Sequence, residues 1–215
     1  YASTEQQGTH TDNVRPGHVY LIGGAKLRAT NSYDVIKASG VGSIISSQYL
    51  TAPVMNDNPA RTDRFNIQDD VLTDSRGVFD IVGYINAGGG GTVSLNMSNG
   101  SVFSGSTSVD SSSTVNLDIQ GANSIWTMER DSVLTNLLLD GATLKYAEPA
   151  DLTDPLAFTT KTLTVVGDYS SNNGMLVLNT VLEDDSSATD KLIVQGNTSG
   201  HTDVMITNIG GAGAQ

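Results

Sequence analysis

The sequence predicts an all-β solenoid, a right-handed parallel β-helix whose short strands coil around one apolar core. The first observation is the composition: of 215 residues only 16% are charged, while 38% are apolar and 23 are glycine. That apolar content is too high for a disordered chain, and the many Ser, Thr and Asn residues favour strands and turns over long helices. The second and third observations are an internal repeat of about 22 residues and a glycine turn inside each repeat.

The repeat begins near residue 92 and combines two strands with one turn. Val93, Val115 and Leu137 each open a strand in which apolar and polar residues alternate, and these starts are 22 residues apart. A glycine turn follows each strand, at Gly100, Gly121 and Gly141, and a second strand with an aromatic side chain comes next, at Phe103, Trp126 and Tyr146. One such unit cannot bury its apolar face alone, so stacked units must shelter one another, which is typical of a solenoid. A leucine-rich repeat is the competing solenoid, but its fixed Leu/Asn frame and helical return are missing.

Beyond residue 160 the units lengthen but keep the order of strand, glycine and strand. The turn glycines predicted there are Gly167 and Gly196. The core and folding-segment residues predicted for the whole repeat region are Phe103, Trp126, Leu137, Leu139, Tyr146, Leu163, Val165, Leu176, Leu178, Leu192, Val194, Val204 and Ile206. The spacing of positions 133, 134, 137 and 138 also fits a local helix, but the in-phase repeat favours strands.

The chain divides into three predicted parts. Residues 1–90 are irregular β-helix rungs with an excursion loop at about 52–70, residues 91–160 are regular rungs, and residues 161–215 form a C-terminal segment with a hairpin-like cap. The glycine run at 88–91 is interpreted as a flexible joint. The acidic stretch at 183–185 interrupts the apolar pattern and predicts a solvated loop or the end of a hairpin.

Charge and residue content exclude several functions. Eleven basic residues face 23 acidic ones, a formal net charge of −12, which argues against nucleic acid as a partner. The chain has no cysteine, and no apolar stretch approaches the roughly 18 to 20 residues of a membrane-spanning helix. No catalytic motif is present. We therefore predict no enzyme activity, no catalytic residue, no cofactor and no metal site.

Several titratable and polar side chains are candidate sites. His10, His18 and His201 are scattered, and the acidic pairs at 69–70 and 184–185 are interpreted as solvated surface. Asn96, Asn116 and Asp118 occupy outward positions of the alternating strands. They predict either a stacked polar ladder or a contact surface for a second copy or for glycans.

Three segments resemble a known family: residues 124–144, residues 163–180 and, above all, the stretch from Thr189-Asp-Lys-Leu-Ile-Val to Gly210-Gly-Ala-Gly. They resemble the last rungs of bacterial autotransporter passengers of the pertactin-like and diffuse-adherence-adhesin type, and the likeness covers about residues 90–215. The resemblance implies a passenger that reaches the cell surface or the exterior through the periplasm and outer membrane. It also implies a C-terminal outer-membrane β-barrel translocator in the same precursor, and an autochaperone region at the end of the passenger.

The resemblance implies a β-helical stem and folding nucleus of an adhesin or autoaggregation factor, taken from the membrane-proximal end of a longer passenger. Two alternatives stay open. The segment could itself bind a partner, either a second copy or a host-cell surface or cytoskeletal factor. It could also be a fragment of a β-helical polysaccharide lyase or hydrolase, which would need several carboxyl groups within about 10 Å of one another across one groove.

Overall fold

The computed structural model describes residues 2–3, 17–21, 23–29, 34–47 and 77–213. These residues form a coil of parallel strands in which each turn of the chain, here called a rung, contributes to three faces. The all-β, parallel β-helical fold predicted from the repeat is confirmed. The predicted excursion loop at 52–70 and His10 lie outside the described residues.

The described rungs are numbered from the N-terminal end. The first two rungs contain β1 (Ala2–Ser3), β2 (His18–Tyr20), β3 (Gly24–Arg28), β4 (Asp34–Ser39), β5 (Ile44–Ser46) and β6 (Val78–Val82). The third and fourth contain β7 (Tyr84–Gly88), β8 (Thr92–Met97), β9 (Val102–Gly105), β10 (Thr107–Val109), β11 (Thr114–Gln120) and β12 (Ile125–Met128). The fifth to seventh contain β13 (Ser132–Leu134), β14 (Asn136–Asp140), β15 (Thr143–Tyr146), β16 (Thr162–Val165), β17 (Tyr169–Thr180), β18 (Lys191–Val194) and β19 (Thr198–Asn208).

Each face is a stack of parallel strands from successive rungs. Face A consists of β1, β4, β7 and β10, continued by β13, β16 and β18. Face B runs from β2 through β5, β8, β11 and β14, and face C from β3 through β6, β9, β12 and β15. Both faces meet in β17, and β19 pairs with β17. The one helical element described is a 3-10 turn at Pro155–Ala157, in the connection between β15 and β16.

The core fills the inside of the coil because every second side chain of a strand points inward. In β11 the buried positions alternate strictly with half-buried ones, and Leu117 lies in register with Leu95 before it and Leu137 after it. One apolar cluster extends in this way from Ile36 to Leu176. Each rung therefore depends on its two neighbours for burial.

Strand β17 turns the corner from face B to face C without a loop. Its first residues pair with β14 and its later ones with β15, and the register with β19 shifts between Asn172 and Gly174. Asn173 takes a left-handed backbone conformation there, with φ of 53°. A Cβ atom on Gly174 would lie 2.7 Å from the Cβ of Leu139, so the corner also needs a residue without a side chain.

Two local predictions are settled by the strands and turns. Residues 88–91 form a tight turn instead of a flexible joint, because Gly89 N donates to Asp110 Oδ2 at 2.7 Å and Gly90 N donates to Ser113 Oγ at 3.0 Å. These bonds tie the turn to the next rung. The local helix alternative at 133–138 is wrong, since those positions lie in β13 and β14.

Candidate functional site

The predicted core residues lie in columns that run along the coil. On face C, Phe103, Trp126 and Leu176 belong to one column, with Phe103 and Trp126 stacked at a ring-centroid distance of 5.3 Å. Trp126 is fully buried, and its Nε1 donates to Gly105 O at 3.0 Å. Leu137, Leu139, Tyr146, Leu163 and Val165 are also buried in the same cluster. Leu178, Leu192 and Val194 are half-buried and pack against it.

Val204 and Ile206, expected in the core, are instead exposed by 58% and 46%. Both lie in β19, where Val204 pairs with Leu176 and Ile206 with Leu178. A solenoid residue is sheltered from both sides only when a rung lies above and below it. No strand of the described residues pairs with the outer edge of β19. At this rung the alternation of apolar and polar residues therefore predicts which way a side chain points, but not whether it is buried.

The predicted turn glycines serve two different purposes. Gly100, Gly121 and Gly141 have positive φ, and at Gly121 a Cβ atom would also collide with Asn99 of the preceding rung. Gly167 and Gly196 lack a positive φ and allow close approach instead. A Cβ on Gly167 would lie 2.5 Å from Asn136 Oδ1, and one on Gly196 would meet the carbonyl of Gly167.

Three connections gather at the corner beside the end of β17. They are residues 147–161, residues 181–190 and the segment after β19. Phe158, Val181 and Ile209, one from each connection, form a small apolar cluster of their own. The 181–190 connection starts as a hairpin-like turn, because Thr180 and Thr189 form an antiparallel bridge and Val181 N donates to Ala188 O at 2.9 Å.

Beneath this corner lies a buried polar contact between Asn179 and Asp190, here called the polar lock. The two residues are 0% and 2% exposed. Asp190 Oδ2 accepts from Asn179 N at 3.0 Å and from Asn179 Nδ2 at 2.8 Å, while Asp190 Oδ1 accepts from Lys161 N at 2.7 Å. Asn179 Nδ2 also donates to Tyr146 O at 3.2 Å and Ala147 O at 3.3 Å. One pair of side chains thus contacts the fifth, sixth and seventh rungs.

The phenol of Tyr146 makes a further hydrogen bond at the same corner. Its hydroxyl donates to Lys191 O at 2.7 Å, linking the fifth rung to the seventh. Burial raises the pKa of Tyr146 well above its usual range, and the neighbouring charge of Asp190 raises it further. The phenol therefore stays neutral and acts as a hydrogen-bond donor.

No sequence signal marks the polar lock in advance. Asn179 occupies an outward position between Leu178 and Thr180, where alternation predicts a solvated side chain. Asp190 lies between Thr189 and Lys191, where the sequence predicts an ordinary polar residue at the start of a strand. They are buried where the ends of the 147–161 and 181–190 connections meet.

Exposed aspartates accept hydrogen bonds that stabilise several turns. The Asp168 carboxylate accepts from Asn197 N at 2.9 Å and from Asn197 Nδ2 at 3.0 Å, and these bonds lower its pKa below the usual value. Hydrogen bonds from Ser113 and Gly89 lower the pKa of Asp110 in the same way. Bonds within their own turns, from Thr153 and Ser186, lower the pKa of Asp151 and Asp184.

The candidate catalytic and metal-binding residues do not converge in the part of the chain that the structure describes. His18 and His201 are exposed on different rungs, and no group of three His, Asp or Glu residues there could hold a metal ion. Asp184 and Asp185 are exposed in the 181–190 connection. A cavity of about 380 Å³ lies between the sixth and seventh rungs, and none of its lining residues carries a carboxyl group: Tyr169, Leu192, Val194, Thr198, Ser199, Gly200 and Thr202.

The outward polar residues of face B are linked along the coil. Asn136 Nδ2 donates to Asn116 Oδ1 at 2.9 Å, and Asn136 Oδ1 accepts from Asp168 N at 2.8 Å. Asp118 lies in register with Asn96 and accepts from Gln120 Nε2 at 2.9 Å. The bonds of Asn136 to Asn116 and Asp168 link the fourth, fifth and sixth rungs, and these outward residues are here called the polar ladder.

Comparison with known proteins assigns the C-terminal rungs to a family. The family described as Autochaperone Domain Type 1 matches residues 132–215. That match begins at β13 and so covers the fifth, sixth and seventh rungs. No solved structure matches the chain significantly. No helix among the described residues has the length and apolar character needed to cross a bilayer.

Curated proteins similar to the chain include named autotransporters. The uncharacterized protein YuaQ of Escherichia coli K12 is 34% identical over 154 residues, which is 66% of this chain and 10% of YuaQ. The adhesin BmaC autotransporter of Brucella suis is 49% identical over 53 residues, 25% of this chain and 2% of BmaC. The autotransporter adhesin AIDA-I of Escherichia coli is 44% identical over 54 residues, 25% of this chain and 4% of AIDA-I.

The chain thus spans a tenth or less of the length of these three relatives. The parallel β-helix, the autochaperone match and the autotransporter relatives all point to the same kind of protein. Residues 132–215 therefore belong to the Autochaperone Domain Type 1 family, and the chain is that of a bacterial autotransporter passenger, exposed at the cell surface or secreted through the outer membrane.

Proposed function

We propose that this segment is the β-helical stem and folding nucleus of a surface adhesin or autoaggregation factor. The observation that carries the proposal is that the autochaperone match covers the three rungs joined by the polar lock. The names of two relatives, an adhesin autotransporter and an autotransporter adhesin, support the adhesin role. The role is structural and not enzymatic, and the partner in the same precursor is a C-terminal outer-membrane β-barrel.

The physics of a solenoid supports the nucleus role. The first rung to form has no neighbour and gains little burial, while every later rung adds to an existing edge. In the C-terminal segment this initial cost is offset by two features. β19 pairs with β17 from Thr198 to Asn208, and side-chain hydrogen bonds connect three rungs at one corner. The outer edge of β13–β15 can then accept the preceding rungs.

A rung-deletion experiment in the full-length passenger tests this function. One variant lacks residues 191–213, which form the seventh rung. The matched control lacks residues 107–128, which form the fourth rung, so that the third and fifth rungs become neighbours and can pair in a similar register. We expect surface display, measured by antibody labelling of intact cells, to fall at least about tenfold further in the first variant than in the control. Equal display of the two variants would contradict the nucleus role.

A second candidate is that the segment itself binds a second copy or a host factor through the polar ladder of face B. The outward amides of Asn116 and Asn136 favour it, because amides can donate and accept hydrogen bonds with a partner. Sedimentation of the chain over a concentration series tests self-association, and Asn116→Lys should abolish any dimer. A monomer at every concentration, together with no specific capture from host lysate, would rule this candidate out.

A further inference from the structure

The polar lock is a more demanding arrangement than a surface hydrogen bond. Asp190 is 2% exposed, and both its carboxyl oxygens are used, by Lys161 N on one side and by two donors of Asn179 on the other. A buried carboxyl group is costly unless donors surround it. Removing one donor from a buried acceptor costs more than the hydrogen bond contributed.

The carboxyl group and its donors come from different rungs, which makes the lock sensitive to register. Lys161 precedes β16 in the sixth rung, Asn179 lies near the end of β17, and Asp190 immediately precedes β18 in the seventh. Backbone bonds repeat the same register, from Asp190 N to Asn179 O and from Lys191 N to Lys161 O, both at 2.9 Å. A slip of one residue in the seventh rung would turn the Asp190 side chain to the opposite face and leave its donors buried without an acceptor.

The apolar contacts of this rung specify register only weakly. The side chains of β18 and β19 are half-buried or exposed, and Ile193, Val204 and Ile206 are 44%, 58% and 46% exposed. Moving such residues by one position changes their burial little. The polar lock therefore supplies the register information that the apolar core gives to the earlier rungs.

The amide of Asn179 extends the constraint to a third rung. Its Nδ2 donates to Tyr146 O and Ala147 O of the fifth rung as well as to Asp190. Its Oδ1 is buried and has no hydrogen-bond partner in the described part of the chain. The side chain is thus held by its donor end, between two backbone carbonyls and one carboxyl oxygen.

We propose that the buried contact of Asp190 with Asn179 is the positioning element of the autochaperone region, fixing the register of the fifth to seventh rungs so that they fold as one unit. The inference rests on the proposed folding-nucleus function and assigns it to named residues. It predicts that the contact forms before the earlier rungs add. Loss of the contact should then slow folding more than it speeds unfolding.

Refolding and unfolding rates of the 215-residue chain, followed by the fluorescence of its single tryptophan, test the proposal. Asp190→Asn retains the shape but puts an NH₂ group against a donor. We expect it to slow refolding about tenfold and to change the unfolding rate less than about twofold. Asn179→Ala, which removes one of the three donors to the carboxyl group, should shift the rates in the same direction by less.

Two matched variants serve as controls. Val115→Ala removes buried side-chain volume from β11, outside the three rungs, and should act mainly by accelerating unfolding. Asp185→Asn changes an exposed acid in the same connection and should leave both rates unchanged. If Asp190→Asn does not fold, the rates of Asn179→Ala decide the matter alone.

The result that overturns the proposal is an unchanged refolding rate in the foldable lock variants, or equal slowing by Val115→Ala. Failure of the proposed function looks different. Slow refolding of Asp190→Asn, with normal display of the full-length passenger after deletion of the seventh rung, would retain the positioning role and reject the autochaperone role. Normal refolding of Asp190→Asn, with display lost after that deletion, would reject the positioning role and retain the autochaperone role.

Discussion

Trp126 shows at the scale of one residue how a rung depends on its neighbours. Its ring stacks on Phe103 of the preceding rung, and its Nε1 donates to the carbonyl of Gly105. The side chain therefore combines buried aromatic area with one satisfied polar group, which is the usual condition for burying tryptophan.

Replacing Trp126 with alanine should reduce the free energy of unfolding by about 3 to 5 kcal/mol, because the vacated space cannot collapse between two fixed rungs. Trp126→Phe retains part of the ring contact, loses the bond to Gly105 and leaves a smaller cavity than alanine, so its effect should be clearly smaller. Urea titration followed by circular dichroism measures both. A loss below about 1 kcal/mol for the alanine variant would show that the ring contributes little to the core.

The exposed aspartates in the turns make the stability of the fold depend on pH. The direction in which their pKa values are shifted fixes the sign of that dependence. Hydrogen bonds lower the pKa of Asp168 and Asp184 in the folded state. Stability from these bonds is therefore present above the unfolded value of about 4 and is lost as pH falls below it.

We expect the urea midpoint to hold steady from pH 7 to about 5 and to fall below about pH 4. Asp168→Asn removes the carboxylate of this contact, and Asn197→Ala removes its Nδ2 donor while leaving the backbone N donor in place. Both should therefore make the decline below pH 4 shallower. A decline as steep as that of the unmodified chain in both variants would exclude Asp168 as a contributor.

At the scale of the element, β17 depends on the backbone at its corner. Asn173 is the only non-glycine residue with positive φ in the described part of the chain. The left-handed conformation costs roughly 1 to 2 kcal/mol for most L-residues, and Asn and Gly tolerate it best. A continuous strand can therefore serve two faces because this one residue accepts an unusual φ.

Asn173→Val should lower the free energy of unfolding by about 1 to 2 kcal/mol, because a β-branched side chain is least compatible with that backbone. Asn173→Gly should be close to neutral. Thermal unfolding monitored by circular dichroism separates the two variants. Equal stability of the valine and glycine variants would mean that the corner takes another conformation.

The elements also show which parts of the fold could be predicted from sequence. Alternation and glycine spacing predict β8, β11 and β14, because each is buried by neighbours with the same pattern. The same alternation predicts Val204 and Ile206 as core, but no strand of the described residues covers them. Asn179 fails in the opposite direction: its outward position is buried, against Asp190 at the far end of the next connection and against the carbonyls of the fifth rung.

At the scale of the whole molecule, burial is unevenly distributed along the coil. Strands β1, β2 and β5 contain two or three residues each, while β11 and β14 are longer and paired on both sides. Because each rung is stabilised mainly by its neighbours, opening should begin where pairing is short. The C-terminal end differs, since the polar lock and the long pairing of β19 with β17 hold its exposed rung in place.

Native-state hydrogen exchange of the whole chain should therefore be asymmetric. We expect amides of β11, β14 and β17 to exchange only through global unfolding. Those of β2 and β5 should exchange through a local opening at least about 100-fold more frequent, which corresponds to about 2.7 kcal/mol at 1.36 kcal/mol per tenfold. Added urea should accelerate exchange in the first group and leave the second nearly unaffected, because local opening exposes little surface. If β2 and β5 were as protected as β14, the coil would unfold as one unit, and its C-terminal rungs would have no greater stability from which to direct the folding of the rest.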